Sequence, residues 1–354
     1  MDLKKLNAII YAMLAALFYA INIPFSKLLL NKVSPTFMAA FLYLGAGLGV
    51  GIMYIFHVRK ETQDEKLERE DIPYTLAMVV LDIIAPIMLM IGVKLGTAAN
   101  ASLLGNFEIV ATTLIAFGLF REKVSARLWG AISLITVASI MLSFSGEGSF
   151  SFSLGSILVL GATVCWGLEN NCTRKISVKS TYEIVTIKGI GSGIGSFIVA
   201  MVLRESIPGF SYIAIIMILG FVAYGLSIFT YIRAQKTLGA SKTSAYYAIA
   251  PFIGVLISAV FLKERLSMMF IVALVIMISG TVLIIRDTLI HSHKHAHIHL
   301  ITHTHDGFTH THAIEHSHDH AHVIGEGKHG HTHNVEELEI ALGHRGVSNN
   351  ERFY

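Results

Sequence analysis

The chain has 354 residues, 53% of them hydrophobic and 14% charged, with a formal net charge of +3 at pH 7. Its mean hydropathy of +0.63 lies well outside the range of water-soluble domains, and so small a net charge gives no ground for a nucleic-acid partner. Two cysteines, Cys165 and Cys172, sit seven residues apart, about 10 Å along one helix axis, which excludes a disulfide within that helix.

Apolar runs of the length needed to cross a hydrocarbon core of about 30 Å follow one another along the chain. They predict ten spans, at 6–26, 35–57, 73–93, 97–119, 127–145, 153–173, 183–203, 209–231, 243–262 and 268–286. After Lys4 and Lys5 the first run continues too far for a cleavable leader and has no small-residue cleavage site, so none is expected. Alternate joints hold most of the lysine and arginine. Arg59, Lys60, Arg121, Lys123, Arg174, Lys175, Arg233 and Arg286 fall on the side of the N-terminus, while the other side holds Lys27, Lys32, Lys94, Arg204, Lys263 and Arg265. Basic joints stay in the cytoplasm, so both termini are expected there, in a multi-pass protein of the inner or plasma membrane.

The chain repeats itself. Gly96 to Ser125 ends on Arg121-Glu122-Lys123-Val124-Ser125, and Gly239 to Ser267 ends on Lys263-Glu264-Arg265-Leu266-Ser267. The second span carries Gly45, Gly47, Gly49 and Gly51, and the seventh carries Gly189, Gly191, Gly193 and Gly195 at the same spacing. Small residues four apart let membrane helices approach closely, and helix packing is the expected role of these rows. Tyr19, Asn22 and Lys27 align loosely with Trp166, Glu169 and Arg174. Five spans per copy is an odd number, which places the copies in opposite orientation. The expected fold is therefore an all-α polytopic membrane protein. Two inverted five-helix repeats cover residues 1–145 and 146–286, and a disordered tail covers 287–354.

With the paired charged ends, Ala234, Leu238-Gly239-Ala240 and Pro251 in view, residues 6–286 resemble the drug/metabolite transporter superfamily in its EamA branch. The resemblance implies a ten-helix carrier with a cavity between its halves. It leaves the substrate open. The first copy has Glu108-Ile109 where such proteins often have Glu-Pro, so a less kinked fourth span is expected.

Carboxylates inside a membrane cost about 2.5–3.5 kcal/mol each and mark pathways. Asp82 lies roughly 15 Å into the third span and Glu108 roughly 18 Å into the fourth, both near mid-depth. They are candidate groups for substrate or proton coupling, as is Glu169, against the alternative of a carboxyl that only fixes packing. The second half has no acid at the matching positions and offers Tyr224, Tyr231, Tyr246 and Tyr247 instead. The expected cavity joins acids from one half to Tyr224, Tyr246 and Tyr247 from the other, which suits an organic cation or amino acid. Cys165, Glu169 and Cys172 share one helical face and could offer a soft-metal path, but packing is the preferred reading. Glu122 and Glu264, each between basic residues, are expected to make local ion pairs.

All but one of the 18 histidines fall between His291 and His344. They run as His291, His293, His295, His297 and His299, then His303, His305, His310 and His312, then His316, His318, His320, His322, His329, His331 and His333. Neutral imidazole suits Zn, Ni and Cu ions, so these residues are candidate metal ligands on a low-complexity tail. No cofactor is expected to be required. With no nucleotide-binding loop, no His-Glu-x-x-His and no nucleophile elbow, an enzyme is not expected. The expected function is a secondary transporter, an exporter of small metabolites, amino acids or organic cations. Its partners are membrane lipid and a small-molecule substrate. The alternative is a divalent-metal transporter or metal-sensing membrane protein that uses the tail.

Overall fold

In the computed structural model the apolar runs are helices and the polar joints are turns; residues 3–57, 66–121, 124–144, 153–176, 179–238, 243, 246–305 and 308–323 are described. Helices α1 (Leu3–Ala20) and α2 (Asn22–Leu29) form the first span, followed by α3 (Pro35–His57) and α4 (Ile72–Leu95). The fourth span is split into α5 (Ala98–Leu104) and α6 (Phe107–Phe120), and α7 (Ala126–Ser143) closes the first half. The second half holds α8 (Leu154–Lys175), α9 (Thr181–Val202), α10 (Phe210–Gly220), α11 (Ser227–Leu238), α12 (Ala250–Phe261) and α13 (Met268–Leu289). Among the described residues eight helical stretches are long and apolar enough to cross a membrane, and α8 and α12 stand where the other two spans are expected. The part up to Asp287 is an all-α polytopic membrane protein.

The repeated charged motif has a backbone explanation. Its first residue ends a helix in the left-handed conformation in both copies, with φ of 53° at Arg121 and 52° at Lys263. Its serine then starts the next helix. Ser125 Oγ accepts from Leu128 N at 3.1 Å, and Ser267 Oγ accepts from Phe270 N at 3.1 Å. Such caps satisfy one of the free N–H groups of a helix start. Ser267→Ala is expected to lower stability by about 1 kcal/mol, read as a reduced melting temperature in detergent.

Helices of residues 1–145 pack on helices of 146–286: α3 on α9, α4 on α8, α1 on α11 and α5 on α12. The glycine rows make the α3–α9 contact, as expected. A Cβ on Gly47 would lie 2.5 Å from Ile190 N, and one on Gly189 would lie 2.4 Å from the Cα of Gly47. Gly45 meets α10 in the same way, at 2.1 Å from Met217 O. Between α10 and α11 the chain takes a π-helical turn, Phe221–Leu226. Such turns interrupt a helix without ending it and cluster at functional sites.

One expectation is corrected. The fourth span is broken although it lacks the proline. Gly105 and Asn106 interrupt it, and the N–H groups of Glu108 and Ile109 bond three residues back, to Gly105 O and Asn106 O. Within the tail, residues 290–323 pair as an antiparallel hairpin of β1 (Ile290–His305) and β2 (Phe308–Val323). Its His-x-His alternation has the period of a strand, and isoleucine, threonine and valine between the histidines favour that state. The register sets His291 opposite His322, His293 opposite His320, His295 opposite His318, His297 opposite His316, and His303 opposite His310. His329, His331, His333 and His344 lie outside the described residues.

Candidate functional site

The site grows from charges that four helices carry to mid-depth. Asp82 is the eleventh residue of α4 and fully buried, and Glu169 on α8 is buried beside it. Between them comes Lys188 of α9. Its Nζ lies 3.0 Å from Asp82 Oδ2 and 3.1 Å from Glu169 Oε1. Asp82 Oδ2 has no aligned hydrogen-bond donor among the described residues, so its hold on the lysine is that of an ion pair. Its other oxygen is fixed in direction: Oδ1 accepts from Tyr43 OH at 3.2 Å and Trp166 Nε1 at 3.1 Å. Thr173 Oγ1 donates to Glu169 Oε1 one turn away.

The helix break supplies the third acid. Ending α5 at Leu104 puts the start of α6 at mid-depth, and Glu108 lies in its first turn, where free N–H groups favour a negative charge. Asn170 Nδ2 donates to Glu108 Oε1 at 2.7 Å, which ties Glu108 to the residue next to Glu169. Two carboxylates therefore hold one ammonium, and a third carboxyl is tied to them through Asn170. Broken helices at the bilayer centre are where carriers expose polar backbone to a solute. At this break Ser102 Oγ and Asn106 Nδ2 are buried with no hydrogen-bond partner among the described residues.

Tyrosines continue the site on the other side. Tyr224, in the π-helical turn, has its ring 5.4 Å from that of Tyr43 and 6.0 Å from that of Tyr19, and its hydroxyl accepts from Asn22 Nδ2 at 2.9 Å. Tyr247 lies 5.7 Å from Tyr19 and 5.3 Å from Tyr231. One aromatic chain thus runs from Asp82 through Tyr43, Tyr224, Tyr19 and Tyr247 to Tyr231. Tyr246 joins none of these groups among the described residues. Cys165 and Cys172 are free, and among the residues whose side chains are described no group of three His, Cys, Asp or Glu could hold a metal ion.

The end of the bundle opposite the start of α1 is tied within the first half by Lys27 and across the halves by Glu264 and Glu205. Lys27 Nζ donates to Val93 O, Lys94 O and Gly96 O at 2.7, 3.1 and 2.5 Å, at the C-terminus of α4. Glu264 accepts from Ala98 N and Ala99 N at 2.8 Å each, at the N-terminus of α5. This corrects the expected local ion pair of Glu264: its carboxylate caps a helix more than 160 residues away in sequence. Glu122 lies outside the described residues. Ser34 and Thr36 hydroxyls donate to Glu205 at 2.6 and 2.9 Å on the same end.

The family model described as the EamA-like transporter family matches twice, over residues 6–144 and 153–286. The chain belongs to the EamA-like transporter family. It is 25% identical over 307 residues to an uncharacterized transporter of Methanothermobacter thermautotrophicus, covering 78% of this chain and 86% of that protein. It is 21% identical over 266 residues to the uncharacterized transporter YyaM of Bacillus subtilis, covering 72% and 86%. A solved structure described only as the crystal structure of a protein shares the fold, with a TM-score of 0.58, 16% identity, and coverage of 78% of this chain and 94% of that one.

Both EamA segments contribute to the cluster. The first brings Tyr19, Asn22, Tyr43, Asp82 and Glu108, and the second brings Trp166, Glu169, Asn170, Lys188, Tyr224 and Tyr247. The residues named from sequence, Asp82, Glu108, Glu169, Tyr224 and Tyr247, are brought together. Lys188, which holds two of them, was not among them. Its signal was present: a lone lysine eight residues into a glycine-rich apolar span.

Proposed function

We propose that this EamA-type transporter is a secondary exporter of small metabolites that carry a cationic group, amino acids or organic cations, and that it works by alternating access. What carries this reading is Lys188 seated between Asp82 and Glu169, with the Glu108 carboxyl tied to them through Asn170. In the solute-free protein the lysine fills the acid pair. An incoming ammonium or a proton competes for the same carboxylates and loosens α9 from α4 and α8. Asp82 is fully buried while the Lys188 side chain keeps 23% of its surface exposed, so a competitor reaches the pair from the lysine's side. The two matched segments act as inverted halves that rock about this centre, with both termini cytoplasmic in the inner or plasma membrane.

The test is flux into proteoliposomes holding the full chain, screened against amino acids and organic cations. Saturable flux of a cationic or zwitterionic solute, lost in Asp82→Asn and in Glu108→Gln, is the expected result. Undiminished flux in both variants would remove the acids from the mechanism.

A second reading concerns the tail and rests on the hairpin register, which sets five histidine pairs opposite one another. Neutral imidazole suits zinc, nickel and copper ions. The tail then serves as a site for such ions. Equilibrium dialysis with zinc should show several ions bound by the full chain and none by a chain ended after Asp287. Equal binding by both would place the metal elsewhere.

A further inference from the structure

A cavity of about 280 Å³ lies at the end of the bundle where α1 starts, between α3, α9 and α11. It is separate from the charge cluster. Its walls are mostly apolar and aromatic, Val50, Val185, Ile228 and Ile232 with Tyr182 and Phe229, and Thr181 adds a hydroxyl. The Tyr182 ring is stacked on Tyr54 at 6.5 Å and tilted against Phe229 at 6.3 Å, so this wall is held from behind. One cation stands at the cavity. The Arg233 guanidinium lies 5.0 Å from the centre of the Phe229 ring, and no carboxylate pairs with it among the described residues. Two neighbouring charges are engaged elsewhere. Lys179 pairs with Glu68, and Glu183 accepts from Leu67 N.

An unpaired guanidinium beside an apolar slot has one natural complement, a single anionic group on an apolar body. The guanidinium binds phosphate or carboxylate through paired N–H groups, and the apolar walls gain by covering a hydrocarbon chain. The volume is at the small end for ligand cavities, which fits the neck of an amphiphile rather than a large rigid solute. We propose that this cavity is a binding site for an acidic amphiphile, with its phosphate or carboxylate on Arg233 and its chain along Val50, Val185 and Ile228. The chain would lie one helical turn from Lys188, since Val185 is three residues before it, and beside Tyr224, the neighbour of Gly225 in the lining. The occupant would therefore wedge α9 from α11 next to the charge cluster. The site does not depend on which solute the carrier moves.

The two sources of this chemistry are an anionic phospholipid and a free fatty acid. The test is thermal unfolding of the full chain in mild detergent with added phosphatidylglycerol, phosphatidylcholine or decanoate. It is run on wild type, Arg233→Gln, Arg233→Lys, Val185→Phe, and Arg204→Gln as a control at the other end. Phosphatidylglycerol or decanoate is expected to raise the melting temperature by a few degrees or more, roughly as a ligand well above its dissociation constant does. Half-saturation should move up about tenfold in Arg233→Gln and in the filled Val185→Phe, less in Arg233→Lys, and not at all in Arg204→Gln. A response to phosphatidylglycerol alone names a lipid site, and a response to decanoate names a fatty-acid site. Equal responses to phosphatidylglycerol and phosphatidylcholine, or an unchanged response in Arg233→Gln, would overturn the proposal.

Discussion

Lys188→Met is expected to abolish flux of cationic solutes and to lower the stability of the transporter. The lysine is the one ammonium between Asp82 and Glu169, and both acids are buried. Taking one partner from a buried pair leaves the other charge uncompensated, at about 3–5 kcal/mol, whereas removing both partners costs far less. The single variant should therefore unfold earlier on heating. The double variant Lys188→Met with Asp82→Asn should recover part of the loss, since the Asp82 site no longer holds an unpaired charge. Flux should stay absent in the double variant, because the groups that a solute ammonium and the lysine contend for are no longer both present. A drop of at least about tenfold in the single variant corresponds to roughly 1.4 kcal/mol. If Lys188→Met keeps wild-type flux, the lysine only fixes packing. If the double variant is no more stable than the single, the two side chains are not coupled.

The membrane part was legible because its signals are local and repeated. Apolar runs between charged joints set the spans, and the rows Gly45 to Gly51 and Gly189 to Gly195 announced a close contact that a Cβ would prevent. Asp82 and Glu108 stood out as acids in apolar runs, and both belong to the cluster. Lys188 was passed over because the repeat directed attention to what the halves share. Its counterpart by the glycine register is Leu44, so the lysine exists only where the symmetry fails. Tyr43 and Trp166 were also out of reach, since their contact with Asp82 depends on how α3 and α8 are turned toward α4. The break at Gly105–Asn106 was masked by looking for proline. In the tail the alternation was seen as composition, although the same spacing is the period of a strand.

Glu264→Ala is expected to open the end of the transporter opposite the start of α1. In the folded chain the Glu264 carboxylate takes two N–H groups of α5, and Lys27 takes three carbonyls around the end of α4, so opposite charges clamp the two sides of the joint at Leu95 to Thr97. The signs match the partial charges of the helix ends they meet, positive at the start of α5 and negative at the end of α4. Each such contact is worth about 0.3–1 kcal/mol in exposed settings and up to about 2 when partly buried, so the pair can set which end of a carrier is shut. Glu264 belongs to the second matched segment and the helix it caps, α5, belongs to the first, so this contact joins the two segments, while Lys27 braces α2 against α4 beside it. A cysteine placed at the buried Ala101, in a background with Cys165→Ala and Cys172→Ala, gives the measurement. A membrane-impermeant maleimide added from that end should label it several-fold faster in Glu264→Ala, about fivefold for each kcal/mol lost from the closed state. Lys27→Met should act in the same direction, and the two together should exceed either. Unchanged labelling in all three would mean that the closed end is held by the packing of α5 against α12, and that the charges only finish the helix ends.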